Sequence, residues 1–231
     1  MRSILITGAS RGIGAATALA LAQPNTRLTL AARNREALEA VAAQAIAAGA
    51  ECVVAPCDVT DPEQVAATVA LAAGNGRLDV AVHSVGGALV APLEAISFAE
   101  WEEHLRVQLT SLFLVAQQVT AHMDRGGLLI NIASVAARQA FPGWSAYVAA
   151  KHGALGFAAA IREELRPRGI RVCSVLPAAT DTAIWDAIPG EWSRANMLQP
   201  ADVAATIAAI VALPPYVTVE DVTIGHVAGR L

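Results

Sequence analysis

Lysine is nearly missing from this chain. Of its 231 residues, 16 are lysine or arginine, and Lys151 is the single lysine. Tyrosine is scarce as well, Tyr147 being one of two. The three cysteines, Cys52, Cys57 and Cys173, form no Cys-x-x-Cys pair. Each lies in or beside an apolar run, as buried structural thiols do, and this argues against a redox or metal role. The five histidines show no His-Glu-x-x-His or comparable spacing, so no metal site is expected. No apolar run is long enough to span a bilayer. The arginines are scattered and the net charge is −4, which argues against a nucleic-acid-binding surface. The opening stretch, MRSILITGAS, lacks the apolar core and cleavage site of a secretory signal, and the expected location is cytoplasmic.

What is present is apolar. Hydrophobic residues make up 55% of the chain and charged residues 16%, a balance that excludes disorder. Strand-like runs fall at 3–7, 27–32, 51–55, 78–83, 128–133, 170–175 and 219–224. Most are continuously apolar rather than alternating, as in strands covered on both faces. Alanine-rich helical stretches lie between them at 12–22, 34–48, 62–73, 98–123, 146–167 and 201–212. This alternation predicts an α/β fold: one domain over 1–231, with a doubly wound parallel sheet of about seven strands and helices on both faces. A proline-bounded segment at about 178–200 breaks the rhythm. It holds Trp185 and Trp192, with Pro189 inside it, and reads as a lid over a ligand.

The stretch TGASRGIG, 7–14, follows the first strand and opens the first helix. Gly8 suits a tight turn, Gly12 a close approach of backbone to a pyrophosphate, and Gly14 close helix–strand packing. The helix N-terminus behind them favours phosphate. The spacing is GxxxGxG, not the general GxGxxG. The second strand ends at Arg33, where an acidic residue would select a free ribose 2′-hydroxyl. With Arg11 inside the glycine turn, this predicts NADP(H) in preference to NAD(H).

Tyr147 and Lys151 stand four residues apart in YVAAK, a spacing that puts them on one face of a helix. A phenol ordinarily titrates near 10, and a neighbouring ammonium is expected to lower it toward a useful acid–base range. Three rotatable donors on a compact ammonium also suit ribose hydroxyls better than a planar guanidinium does.

TGASRGIG, CDVTD at 57–61, and Ser134 thirteen residues before Tyr147 of YVAAK together resemble the short-chain dehydrogenase/reductase family. The likeness is to its short single-domain members, such as the 3-oxoacyl-carrier-protein reductases. The resemblance implies a Rossmann-like fold and interconversion of a carbonyl and an alcohol by hydride transfer, with Tyr147 as proton donor or acceptor. Ser134 would orient the carbonyl oxygen, Lys151 would assist the tyrosine, and Gln108 would take part in a water relay to Lys151. Cofactor contacts would come from Gly8, Ser10, Arg11, Gly12, Ile13, Gly14, Arg33, Asp58, Val59, Ser84, Gly86, Tyr147, Lys151, Pro177, Thr180 and Thr182. Asp58 resembles the residue that contacts the adenine amino group; its other reading is a loop or helix cap, a role that Thr60 or Asp61 could fill instead.

The chain departs from the family pattern in three places. HSVG puts His83 and Ser84 where the family has asparagines, VQLTS puts Gln108 in place of a catalytic asparagine, and LPAATDT puts Ala178 in place of a glycine. His83 is expected to be structural. The family commonly pairs its fourth and fifth helices across a two-fold axis, and a homodimer or homotetramer is expected here. Val135, Phe141, Trp144, Ile184, Trp185, Ile188 and Trp192 are the candidate substrate pocket, which suits a small hydrophobic carbonyl or alcohol. Arg138 and Arg194 could hold an acidic handle, as on a 3-oxoacyl carrier. A non-catalytic NADP(H) sensor on the same fold is the alternative reading.

Overall fold

The computed structural model describes residues 1–74, 76–188 and 190–229, so Pro189 of the expected lid lies outside it. The strands are β1 (Arg2–Thr7), β2 (Thr26–Ala32), β3 (Glu51–Pro56), β4 (Val80–His83), β5 (Leu128–Ile132), β6 (Arg171–Pro177) and β7 (Asp221–Ile224). They form one sheet in the order β3-β2-β1-β4-β5-β6-β7, and every pairing is parallel. The helices are α1 (Gly12–Leu21), α2 (Arg35–Ala47), α3 (Pro62–Ala73), α4 (Phe98–Leu105), α5 (Ser111–Ala121), α6 (Ser145–Leu165) and α7 (Pro200–Ala212).

The continuous apolar runs have a direct cause. Successive strand residues point to opposite faces, and both faces are covered. Ile4 and Ile6 of β1 join one core cluster with Ala18 of α1, Leu38 of α2 and Ile207 of α7. Leu5, between them, joins the other with Val69 of α3, Val119 of α5 and Ala158 of α6. Local chemistry starts the helices. Asn34 caps α2, Asp61 caps α3 ahead of Pro62, and Ser97 with Glu100 forms a capping box on α4.

The order reverses between β1 and β4, and a crevice opens beyond the carboxyl ends of these strands, where open α/β sheets bind ligands. One expected element divides. The helix read over 98–123 is α4 and α5 joined by a π-turn, Arg106–Thr110, and that turn carries Gln108. Such turns insert a residue into the helical ladder and often mark functional positions. Among the described residues, no helix is long and apolar enough to cross a membrane.

Candidate active site

At the crevice floor, Gly8 has φ +72°, and a Cβ there would lie 2.1 Å from the Ser84 carbonyl oxygen. No other residue lets the chain after β4 close on this turn. A Cβ on Gly14 would meet the Gly8 carbonyl oxygen at 2.2 Å, which explains why the helix can start so close to the strand. Arg11 occupies the N-cap of α1 without a side-chain cap, leaving the first-turn N–H groups for an anion. This bare cradle fits a dinucleotide pyrophosphate. Ser10 and Ile13 lie within the turn, and Thr182 closes on it, its Cγ2 standing 3.3 Å from a Cβ built on Gly12.

Arg33 is exposed at the end of β2, beside Asp58. Hydrogen bonds from the Thr60 N–H and hydroxyl, at 2.9 and 2.7 Å, hold the Asp58 carboxyl below its usual range, with smaller help from the charges of Arg33 and Arg106. Asp58 therefore braces the loop, while Asp61 caps α3. Val59 buries its side chain in the core, so a cofactor contact there would be through its main chain. Ser84 is tied by its N–H to the Thr7 carbonyl, at 3.1 Å. A Cβ on Gly86 would come within 2.9 Å of Gln108 Oε1.

Ser134 stands just past β5 and caps a short turn through Ala136 N–H, at 3.1 Å. Tyr147 and Lys151 face it from α6. Burial raises the Tyr147 phenol above its ordinary value, and the Ser134 hydroxyl beside it acts in the opposite sense. The sequence-based expectation of a phenol lowered by Lys151 is thus reversed in the protein alone: desolvation of the anion wins. Lys151 Nζ lies 5.7 Å from the phenol ring centre and donates to the Ile132 carbonyl at 3.1 Å. Burial brings its pKa down to about 8. Gln108 is buried, with Nε2 donating to the Gly87 carbonyl and Oε1 left without a partner.

His83 is fully enclosed between Thr7 Oγ1, 2.9 Å from Nδ1, and Ser111 Oγ, 3.1 Å from Nε2. The Ser111 hydroxyl gives its only proton to the Val107 carbonyl, so His83 Nε2 must donate to Ser111 and Nδ1 must accept from Thr7. Burial, with Lys151 a second cause, lowers His83 to about 3 and keeps it neutral. It clasps β1 and β4 to the π-turn, a structural role. His104, which the sequence reading passed over, packs its ring 6.0 Å from that of Tyr147. Burial, then Lys151, lowers it to about 4, and its Nε2 has no partner.

A cavity of about 380 Å³ opens above Ser134 and Tyr147. Val135, Phe141, Trp144, Ile184, Trp185, Ile188 and Trp192 all line it, with Pro177, Thr180 and Thr182 at the cofactor side. The Trp144 ring stands 5.4 Å from Tyr147 and 6.0 Å from Trp185, which lies 4.8 Å from Trp192. The expected lid is a pair of single 3-10 turns, Ala183–Ala187 and Arg194–Asn196. Trp185 Nε1 donates to the Thr180 carbonyl at 3.0 Å, and Trp192 Nε1 to that of Ile188 at 3.3 Å.

The two arginines read as holders of an acidic handle are otherwise engaged. Arg194 bonds Asp181 and Asp186, both at 2.6 Å, and Arg138 bonds Asp221 at 2.6 Å. Among the described residues, no Asp, Glu, Lys or Arg lines the cavity. Asn196 and the tail residues His226 and Gly229 do, and no motif or local pattern marks any of the three.

A glycine-cradled crevice at the sheet's switch point, beside a serine, a tyrosine and a lysine, defines a nucleotide-binding oxidoreductase site. The short chain dehydrogenase family model matches residues 2–191, and the chain belongs to that family. A D-threitol dehydrogenase of Mycolicibacterium smegmatis is 38% identical over 81% of this chain and 75% of its own length. A 3-oxoacyl-(acyl-carrier-protein) reductase of Synechocystis is 34% identical over 88% and 86%. Among solved structures, a short chain dehydrogenase from Burkholderia cenocepacia in complex with NADP superposes with a TM-score of 0.87 at 28% identity, covering 97% of this chain and 96% of that one. The protein is an NAD(P)-dependent oxidoreductase.

Proposed function

We propose that this protein interconverts an uncharged, hydrophobic carbonyl compound and its alcohol, using NADP(H) in preference to NAD(H). The observation that carries this reading is that Ser134 and Tyr147 open onto a largely apolar cavity, rich in tryptophan, that no charged side chain among the described residues lines. A carboxylate or phosphate on the substrate would be desolvated there without a partner.

Ser134 donates a hydrogen bond to the carbonyl oxygen and fixes its direction. Tyr147 delivers its proton to that oxygen as negative charge develops there, and its raised pKa keeps the proton in place until then. Lys151 stabilises the phenolate left behind through its ammonium charge. When bound, the nicotinamide supplies or accepts the hydride at the carbonyl carbon. Gln108 Oε1, unpartnered and buried, is suited to receive a water that leads protons toward Lys151. Arg33 and Arg11 are exposed and carry no ion pair among the described residues, which suits them to a ribose 2′-phosphate.

The same proposal includes a homodimer or homotetramer formed through α5 and α6. Phe113 of α5 is 43% exposed and meets Phe157 of α6 edge-on at 6.1 Å, and open space lies over Gly156. Following NADPH absorbance with aryl ketones, cyclic ketones and aldehydes tests the activity. Turnover of these but not of carboxylated analogues is expected. NADPH binding without turnover of any of them would make the protein a sensor and overturn the reading.

A further inference from the structure

The chain after β7 returns to the substrate cavity, and its return is anchored. The Gly225 backbone comes against Ala178, whose N–H bonds the Ile224 carbonyl at 2.8 Å, and His226 and Gly229 then border the cavity. The His226 ring is oriented by its own tail: Ala228 N–H donates to Nδ1 at 3.1 Å. A ring nitrogen that accepts carries no proton, so the imidazole proton sits on Nε2. No partner for that N–H is found among the described residues.

The other polar groups on the cavity wall are largely committed. Thr180 Oγ1 donates to the Ala178 carbonyl, and the indoles of Trp185 and Trp192 donate to main-chain carbonyls. Thr182 closes on the glycine turn, and Ser134 and Tyr147 serve the reacting oxygen. Asn196 is exposed on the lid. The Trp144 ring is packed among Phe141, Tyr147 and Trp185, and its indole N–H has no partner among the described residues. His226 borders this largely apolar chamber with a ring whose orientation its own turn fixes.

We infer that His226 is a specificity-determining residue that donates from Nε2 to a second, uncharged acceptor on the substrate, such as an ester, ether or further carbonyl oxygen, remote from the reacting carbon. This rests on the carbonyl-reductase reading above and narrows its substrate class. A site built to hydrogen-bond one group discriminates by leaving a donor unpaired when that group is missing. A purely apolar wall does not.

The test compares two ketones of similar length with NADPH: ethyl benzoylacetate, which carries an ester, and valerophenone, which does not. Wild type, His226→Leu and His226→Gln are assayed with each. In His226→Leu, kcat/KM for the ester should fall roughly three- to tenfold, the size of one neutral hydrogen bond, chiefly through KM. Valerophenone should be unaffected or improved, and the KM for NADPH unchanged. His226→Gln keeps a donor and should recover part of the loss. Thermal unfolding should match wild type in both variants. Equal losses on the two ketones would mean that the tail only packs, and a change confined to NADPH would make His226 a cofactor contact. Either result, or no change at all, overturns the inference while leaving the carbonyl-reductase reading intact. If wild type reduces neither ketone the inference falls, and the carbonyl-reductase reading falls with it when the cyclic ketones and aldehydes are not turned over either.

Discussion

The cofactor-facing and substrate-facing walls of the crevice are built by different means. On the cofactor side, main-chain atoms pack so closely that two positions admit only glycine: Gly8 against Ser84, and Gly14 against Gly8. On the substrate side, Trp144, Trp185 and Trp192 meet across 4.8 to 6.0 Å at tilted angles. They are held by two indole–carbonyl hydrogen bonds and by the Arg194 clasp onto Asp181 and Asp186. The first wall is dictated by steric exclusion, and the second by side-chain contacts that other residues could replace. One wall serves a ligand of constant shape, while the other can be retuned.

The harshest way to break this contrast is Gly8→Ala. It combines a positive φ with a Cβ 2.1 Å from a carbonyl oxygen, so NADPH binding should be abolished, or the soluble protein lost, by titration and expression yield. Comparable NADPH affinity in a folded Gly8→Ala protein would show that the cofactor wall yields as readily as the lid.

Lys151 stands where the walls meet, and Lys151→Met should divide activity from stability. Turnover should fall at least ~100-fold. In the cofactor-free protein the folded pKa, about 8, lies below the ordinary 10.5. The unfolded chain therefore holds the proton more tightly, and folding with the lysine costs most below pH 8. That cost fades as pH rises toward 10.5. The Met variant should melt higher than wild type at pH 7, and the gap should narrow by pH 10. A variant that melts lower at pH 7 would contradict the burial argument.

A smaller effect sharpens the cofactor side alone. Arg33→Asp should cut the preference for NADPH over NADH at least about tenfold, since one charge-assisted contact at a partly exposed site corresponds to roughly a decade. Specificity constants for both cofactors in both proteins measure it. Substrate preference on the other wall should not move.

The difference between the walls also governs what could be read in advance. The glycine turn and the Tyr147–Lys151 pair are local, each spanning one turn or one helical repeat, so spacing alone carries them. Trp185 and Trp192 were legible as lining, because aromatic side chains in a proline-bounded segment need a place to be buried. The partners of charged and polar groups were not legible. Arg138 finds Asp221 across 83 positions, and His83 finds Thr7 across 76. Nothing near either residue in the chain announces its partner. The π-turn at Gln108 is hidden for a similar reason: its sequence is helical throughout, and Ser111, which donates to the Val107 carbonyl and accepts from His83, ties it to a distant strand. The direction of the Tyr147 shift was missed because spacing reveals the ammonium but not the burial that outweighs it.

The central claim is that Tyr147 delivers the proton in carbonyl reduction. Its most direct test is the rate of ketone-dependent NADPH oxidation by wild type and Tyr147→Phe, with NADPH affinity measured in both. The substitution removes one hydroxyl and leaves the ring against Trp144 and His104. Equal NADPH binding, equal melting and turnover reduced at least ~100-fold are expected. Comparable turnover in the two proteins would contradict it.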